Sequence, residues 1–236
     1  MGMKSSVDEI RVRFDQYVEL FSNLETGQTT TVDAPLVLEL ITNSAAAVTP
    51  LARDLLDVGC GAGNYTLKLL ERLPGLNATM VDLSERMLER AQQRVSERTT
   101  GRIHTIQGDI RSVELGESAF DVIMAAAVLH HLRDESEWRA VFSKFHRCLK
   151  PGGSIWISDL IEHSFQPVQS IMWDRYGEYL AALKGEAHRE KVFAYIEKED
   201  TPRPLMFQLD LLRSVGFRNV EVLHKNSVFA AFGAVK

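Results

Sequence analysis

One short run constrains this chain more than any other: Leu55-Leu56-Asp57-Val58-Gly59-Cys60-Gly61-Ala62-Gly63-Asn64. Apolar and acidic residues of strand character lead into a turn with glycine at every second position, and a helical pattern follows over Tyr65 to Leu73. Glycine alone lets a backbone turn this sharply and lie flush against a ligand. A strand, a glycine-rich turn and a helix, in that order, make the first unit of a nucleotide-binding α/β sheet.

Beyond the turn, short strands alternate with helical patterns. Strands are expected at Leu55 to Val58, Asn77 to Asp82, Ile103 to Gln107, Asp121 to Ala125 and Ser154 to Ser158. Helices are expected at Tyr65 to Leu73, at Ser84 to Ser96 with Ser84 as N-cap, and at Glu137 to Leu149. Such alternation implies a mostly parallel sheet wrapped by helices. Before this core, residues 7 to 22 place Ile10, Phe14, Tyr17, Val18 and Phe21 on one helical face. A polar loop then covers 23 to 31, and a second helix is expected over Ala34 to Ile41. The alternation breaks at 159 to 200, where aromatics and charges share long helical runs that Lys184-Gly185 divides. A helix over Arg203 to Val215, ended by Gly216, precedes two closing strands at Val220 to His224 and Val228 to Val235 that can pair as a hairpin. The domain reading is an N-terminal helical cap (1–50), a ligand-binding core (51–160), a helical insertion (161–202) and a closing helix and hairpin (203–236).

Composition narrows the function classes. With a net charge of -5 the chain carries no general electrostatic footprint for nucleic acid. Cys60 and Cys148 sit in apolar or glycine-rich surroundings and read as buried reduced thiols. No apolar stretch approaches the ~18 residues of a membrane span, and Met1 to Ser6 does not read as a signal peptide, so a soluble cytoplasmic protein is expected.

The glycine spacing decides against the two common phosphate cradles. A dinucleotide fold wants G-x-G-x-x-G, but Gly59, Gly61 and Gly63 run G-x-G-x-G and Asn64 stands where the third glycine belongs. No Lys-Ser or Lys-Thr pair makes a P-loop. An acid does close the second strand: Asp82, whose carboxylate can accept from both hydroxyls of a ribose.

At these residues the chain resembles the class I S-adenosylmethionine (SAM)-dependent methyltransferases. The signature turn is Asp57-Val58-Gly59-Cys60-Gly61-Ala62-Gly63. In register behind it come Val81-Asp82-Leu83-Ser84, Gly108-Asp109-Ile110, Phe120-Asp121-Val122-Ile123, Leu129-His130-His131-Leu132 and Leu149-Lys150-Pro151-Gly152-Gly153. The resemblance covers residues 54 to 160 closely and Val215-Gly216-Phe217 loosely. It implies a Rossmann-like α/β fold: a mostly parallel seven-stranded sheet with an antiparallel last strand, helices on both faces, and a helical lid over the carboxyl edge. It also implies SAM as methyl donor, S-adenosylhomocysteine as product and a small-molecule acceptor.

Carried over residue by residue, the resemblance implies donor binding by Asp57, Gly59, Cys60, Gly61, Asp82, Leu83, Met87, Asp109, Ile110 and Ala126. Asp82 takes the ribose diol, Asp109 accepts from the adenine amine, and Leu83 and Ile110 sandwich the ring. Asp57 either orients the glycine turn or touches ligand. His130 and His131, just past strand four, are candidate proton acceptors for the acceptor molecule, or else lining and capping histidines. No Cys/His/Asp group has metal-ligand spacing along the sequence, so no metal is expected. Residues 163 to 200, rich in Trp173, Tyr176, Tyr179, Phe193 and Tyr195, are expected to form the lid and to offer a homodimer contact. A fainter likeness joins the chain ends (Phe14 to Phe21 and Phe229 to Lys236) to carboxy-SAM synthase, an enzyme of tRNA wobble-uridine modification; it would require a cationic site for the extra carboxylate, and Arg189 lies in roughly the corresponding helix. A third reading is a SAM-binding protein without catalysis.

Overall fold

The computed structural model describes residues 4–23 and 28–236 and, of Leu20 and Phe21, the backbone alone. The expected inward place of Phe21 and residues 24–27 of the expected 23–31 loop therefore lie outside the described residues. Seven strands form one sheet in the order β3-β2-β1-β4-β5-β7-β6. They are β1 (Asp54–Val58), β2 (Asn77–Asp82), β3 (Ile103–Gln107), β4 (Phe120–Ala126), β5 (Leu149–Leu160), β6 (Arg218–Asn226) and β7 (Phe229–Val235). The first five pair in parallel, and β7 runs antiparallel to both β5 and β6. This is the class I methyltransferase sheet that the resemblance implied.

The central strands are apolar on both sides because both sides are covered. Leu55, Val122 and Met124 face a core with Ile41, Leu69 and Leu88, contributed by α3 (Ala34–Val48), α4 (Asn64–Leu70) and α5 (Glu85–Ser96). Their neighbours Leu56, Ile123 and Ile155 face a second core with Trp138, Phe142 and Leu212, from α6 (Glu135–Cys148) and α9 (Leu205–Ser214). The helices start where the chain supplies a cap. Ser84 accepts from the Met87 amide (3.1 Å), and Asp134 accepts from the Glu137 amide (3.0 Å), which starts α6 two residues before the expected Glu137. Both cysteines are free and buried.

Three local expectations are corrected. The run 7 to 22 is two helices, α1 (Val7–Phe14) and α2 (Val18–Ser22), because the chain turns at Asp15, whose carboxylate accepts from the Ser84 hydroxyl (2.6 Å) at the head of α5. The helix expected over Ala34 to Ile41 continues to Val48, since Ala45 and its neighbours still pack on the core. Strand β5 begins at Leu149 and passes through Pro151-Gly152-Gly153; a register shift opposite Phe120 and Val122 accommodates the extra length.

The segment after β5 forms a helical pair, α7 (Gln166–Lys184) and α8 (Glu186–Glu199), divided at Gly185 as expected. Tyr176, Leu180 and Ile196 pack there against Val32, Leu160 and Val228, over the end of β5 and the start of β7.

Strand β7 lies unusually close to β5 at Gly233, where an added Cβ would fall 2.2 Å from the Trp156 ring and 2.6 Å from the Ile155 carbonyl oxygen. Trp156 cannot swing away freely, because its indole N–H donates to the Ser154 hydroxyl (2.9 Å). Gly233→Ala is therefore expected to cost about 1–3 kcal/mol of stability. That lowers the melting temperature by about 2–12 °C at this chain length. A melting temperature equal to wild type in calorimetry would refute the tight approach.

Candidate active site

A cavity opens at the carboxyl edge of the sheet, where the chain leaves β1, β2 and β4. Its floor is the glycine turn. Gly59 and Cys60 donate their amides to the Val81 carbonyl at 2.8 and 3.1 Å, and Gly61 donates to Asp82 Oδ2 at 2.8 Å, so the turn hangs on the tip of β2. The glycines have different reasons to be there. At Gly59 (φ +64°) a Cβ would lie 2.6 Å from the Val128 side chain. At Gly61 (φ +50°) a Cβ would meet nothing within 4 Å, because the residue faces open space. Gly63 seats α4 against α5, with Ala91 and Val95 each 3.3 Å from where a Cβ would stand.

All ten residues expected to bind the donor line this one cavity: Asp57, Gly59, Cys60, Gly61, Asp82, Leu83, Met87, Asp109, Ile110 and Ala126. The acids are in unlike states. Asp82 also accepts from the Ser84 amide (2.9 Å) through Oδ1, and a carboxylate with two such bonds keeps lone pairs for two hydroxyls. Asp57, 2% exposed, accepts from the Thr66 hydroxyl (2.6 Å) and carries its carboxyl up to about 7, because burial outweighs that hydrogen bond. Asp109 is gripped through both oxygens by the Arg111 guanidinium, which also reaches Glu137 (2.9 Å). Burial pulls the Asp109 carboxyl up, but Arg111 more than offsets this and holds it below the usual range. The sequence reading missed Arg111. An acceptor role toward an adenine amine would be shared with that guanidinium.

The two histidines part company. They form a short 3-10 turn after β4, and Asp159, at the end of β5, accepts from the Leu129 amide (2.7 Å) that opens it. Asp159 also binds His130 Nδ1. His130 does not line the cavity; His131 does, packed edge-on against Phe14 with ring centres 6.2 Å apart. Burial alone would lower the His130 imidazole, but Asp159 and Asp200 raise it to about 9. Burial and the neighbouring His130 hold His131 well below its usual value.

The cavity's outer wall also departs from expectation. Among the described residues, none of 163 to 200 lines it; Ile10 and Phe14 of α1, together with Gln28, Thr30 and Thr31, do. The helical pair instead holds that wall in place. Tyr176 and Tyr179 donate their hydroxyls to the Thr30 and Thr29 carbonyls at 2.9 and 2.7 Å. Glu199 at the end of α8 pairs with Arg13 (2.8 Å) and accepts from the Ser5 hydroxyl (2.7 Å). Arg189 lies away from the cavity, pairing with Glu186 (3.2 Å) and stacking over Phe193.

A methyltransferase-domain family model matches residues 55–153. The demethylmenaquinone methyltransferase of Lactococcus lactis is 27% identical over 78% of this chain and 73% of its own length. The ubiquinone/menaquinone biosynthesis C-methyltransferase UbiE of Cereibacter sphaeroides is 27% identical over 70% of this chain and 66% of its own length. Among solved structures, Haemonchus contortus phosphoethanolamine N-methyltransferase 2, in complex with phosphomonomethylethanolamine and S-adenosylhomocysteine, superposes with a TM-score of 0.65. It is 18% identical, with 96% of this chain and 57% of that one covered. The chain carries, over residues 55–153, a class I SAM-dependent methyltransferase domain. With it the protein is a transferase of one-carbon groups that takes its methyl from SAM and leaves S-adenosylhomocysteine. The cavity suits that donor, which has no phosphate: it offers a carboxylate for a diol, apolar Leu83 and Ile110, and a backbone face at Gly61 that any side chain would fill.

Two outcomes follow. Gly61→Val is expected to fold with some loss of stability, since its Cβ points into open space but a β-branched residue is strained at φ +50°, and to abolish binding of S-adenosylhomocysteine in isothermal titration. Asp82→Ala is expected to lower that affinity ten-fold or more, from charge-assisted bonds worth roughly 1.5–3 kcal/mol each. Because Asp82 also ties down Gly61 and Ser84, the same substitution lowers the melting temperature. Unchanged titrations in both variants would remove the assignment.

Asp57 makes stability depend on pH. Its folded carboxyl titrates near 7 against an unfolded value of 3.8, so between those values the native state keeps a proton that the unfolded chain has lost. Stability from this group is therefore present at low pH and is lost as pH rises toward 7, on the order of 2–4 kcal/mol. Asp57→Asn is expected to flatten that part of the profile in denaturant titrations between pH 5 and 8. A variant whose profile parallels wild type would count against it.

Proposed function

We propose that this methyltransferase acts on a small, largely apolar acceptor of the quinol or phenol class. The observation that carries the reading is the cavity's lining, in which Ile10, Phe14, Val128 and Leu132 add apolar surface beside Gln28, Thr30, Thr31 and His131. The two curated relatives named above, whose names specify quinone chemistry, support the same class. When bound, SAM supplies a methyl group on a sulfonium that is already an activated leaving group. The residues of the chain then have to align, desolvate and hold. In this reading the Gly59–Gly61 turn seats the amino-acid end and Asp82 holds the ribose. Leu83 and Ile110 enclose the adenine, and Phe14 and Ile10 close the acceptor side against water.

A carboxy-SAM type of reaction is disfavoured by the place of Arg189, outside the cavity. Among the described lining residues the arginine is Arg111, already engaged by Asp109 and Glu137. The proposal is tested by incubating the protein with SAM and, in parallel, a reduced naphthoquinol with an unsubstituted ring position, a simple phenol and phosphoethanolamine. Mass spectrometry then follows the methylated product and S-adenosylhomocysteine. The quinol or the phenol is expected to gain one methyl. Phe14→Ala is expected to raise that acceptor's KM about ten-fold, as loss of a buried aromatic contact implies, with donor affinity kept. Turnover of phosphoethanolamine alone would overturn the acceptor class while leaving methyl transfer intact.

A further inference from the structure

We propose that His130, His131 and Asp200 form a site for one divalent transition-metal ion of the zinc type, beside the donor cavity. His130 Nε2, His131 Nδ1 and Asp200 Oδ1 all lie within 4.8 Å of one another. The carboxylate oxygen stands 3.7 Å from the first nitrogen and 3.4 Å from the second. Donor atoms held 2.0–2.2 Å from a tetrahedral zinc ion are about 3.4 Å apart, so the two edges that meet at the carboxylate are already near the length the ion requires.

Two further observations point to a ligand at this place. His131 Nδ1 and Asp200 Oδ1 are both buried without a hydrogen-bond partner among the described residues, and Asp200 as a whole is 6% exposed. They face each other but are not aligned for a hydrogen bond. Buried polar atoms are satisfied in almost every folded protein, and one cation between these two would satisfy both. The second observation is the support behind His130. Asp159 holds its Nδ1, and is itself fixed by the amides of Leu129 and Leu160 (2.7 Å each). A carboxylate behind a histidine, fixing its tautomer and aiming its other nitrogen, is the usual outer support of a metal-bound imidazole.

The charges agree with the assignment. Once the ion displaces the proton that His130 carries below about pH 9, two neutral imidazoles and one carboxylate bind it, and Asp159 balances its remaining charge from behind. The neighbouring Arg133 guanidinium is turned to the Glu199 carbonyl, Thr201 and the Ser5 carbonyl. Three protein ligands leave one tetrahedral position for water or for an acceptor oxygen. In this arrangement the histidines serve as ligands, not as the proton acceptor considered from the sequence. The metal itself does not depend on the acceptor class proposed above.

The test uses the full-length protein freed of metal by chelation. Zinc is titrated in by calorimetry, and cobalt(II) serves as a spectroscopic probe of the same site. One ion per chain is expected, with micromolar or tighter affinity, four-coordinate cobalt bands and a zinc-dependent rise in melting temperature. Asp200→Asn and His131→Gln are each expected to weaken binding at least about 100-fold, while His163→Gln, outside the cluster, leaves it unchanged. Absence of stoichiometric binding by the wild type, or equal binding in the Asp200 and His131 variants, overturns the proposal. Where those variants fail to fold, the ring nitrogens of His130 and His131 in wild-type protein decide: nuclear magnetic resonance signals that zinc leaves unmoved overturn it as well.

Discussion

The site depends first on one hydrogen bond, from the Gly61 amide to the Asp82 carboxylate at 2.8 Å. It joins the turn after β1 to the tip of β2, next to the two amides that Gly59 and Cys60 give to Val81. With Gly59 backed by Val128 and Gly63 by α5, the turn is held from three sides and its open face is directed at the cavity. A donor cradle built this way needs little rearrangement when ligand arrives, so less binding energy is lost to ordering the loop. The same carboxylate that anchors the turn also lines the cavity, so its proposed role toward the ribose would couple local stability to donor affinity.

The second constraint is the way distant parts of the chain build the cavity's outer wall. Ile10 and Phe14 are presented by a helix of eight residues, too short to be stable alone in water. Its place is fixed by Glu199, 1% exposed, which binds both Arg13 and Ser5 from the far end of the helical insertion. Removing one partner from such a pair leaves a buried charge without compensation, so detaching the wall at this point is costly. The two tyrosines of α7 do the same for Thr29 and Thr30 with neutral hydrogen bonds. The insertion thus supports the cavity's outer wall without lining it.

The elements that were legible in the sequence are those whose cause is local. The β1 turn, the Ser84 cap and the Gly185 break each follow from a residue's own backbone preference or from a bond to a residue within a turn of helix. All ten residues expected to bind the donor line one cavity because they lie at or just past strand tips, and a parallel sheet brings its strand tips together along one edge. The misreadings have non-local causes. The helix over 7 to 22 breaks at Asp15 because Ser84, 69 positions away, holds that carboxylate. Asp109 reads as a free acceptor until Arg111 and Glu137 are seen to converge on it. The aromatics of 163 to 200 were rightly read as needing a partner surface; that surface is chiefly their own helical pair and the ends of β5 and β7, away from the cavity wall.

By itself, the sequence determined the α/β order, the glycine turn, the acid at the end of β2 and, through its motifs in register, the family of its methyltransferase domain. Those properties are written in neighbouring residues and in the periods of strand and helix. Only the tertiary structure decided which histidine meets the cavity and that a short N-terminal helix walls it. It alone brought Asp200, 69 positions beyond His131, to within 3.4 Å of that ring. Contacts of this kind depend on how the insertion folds back over the sheet, and no spacing along the chain encodes a distance set by packing.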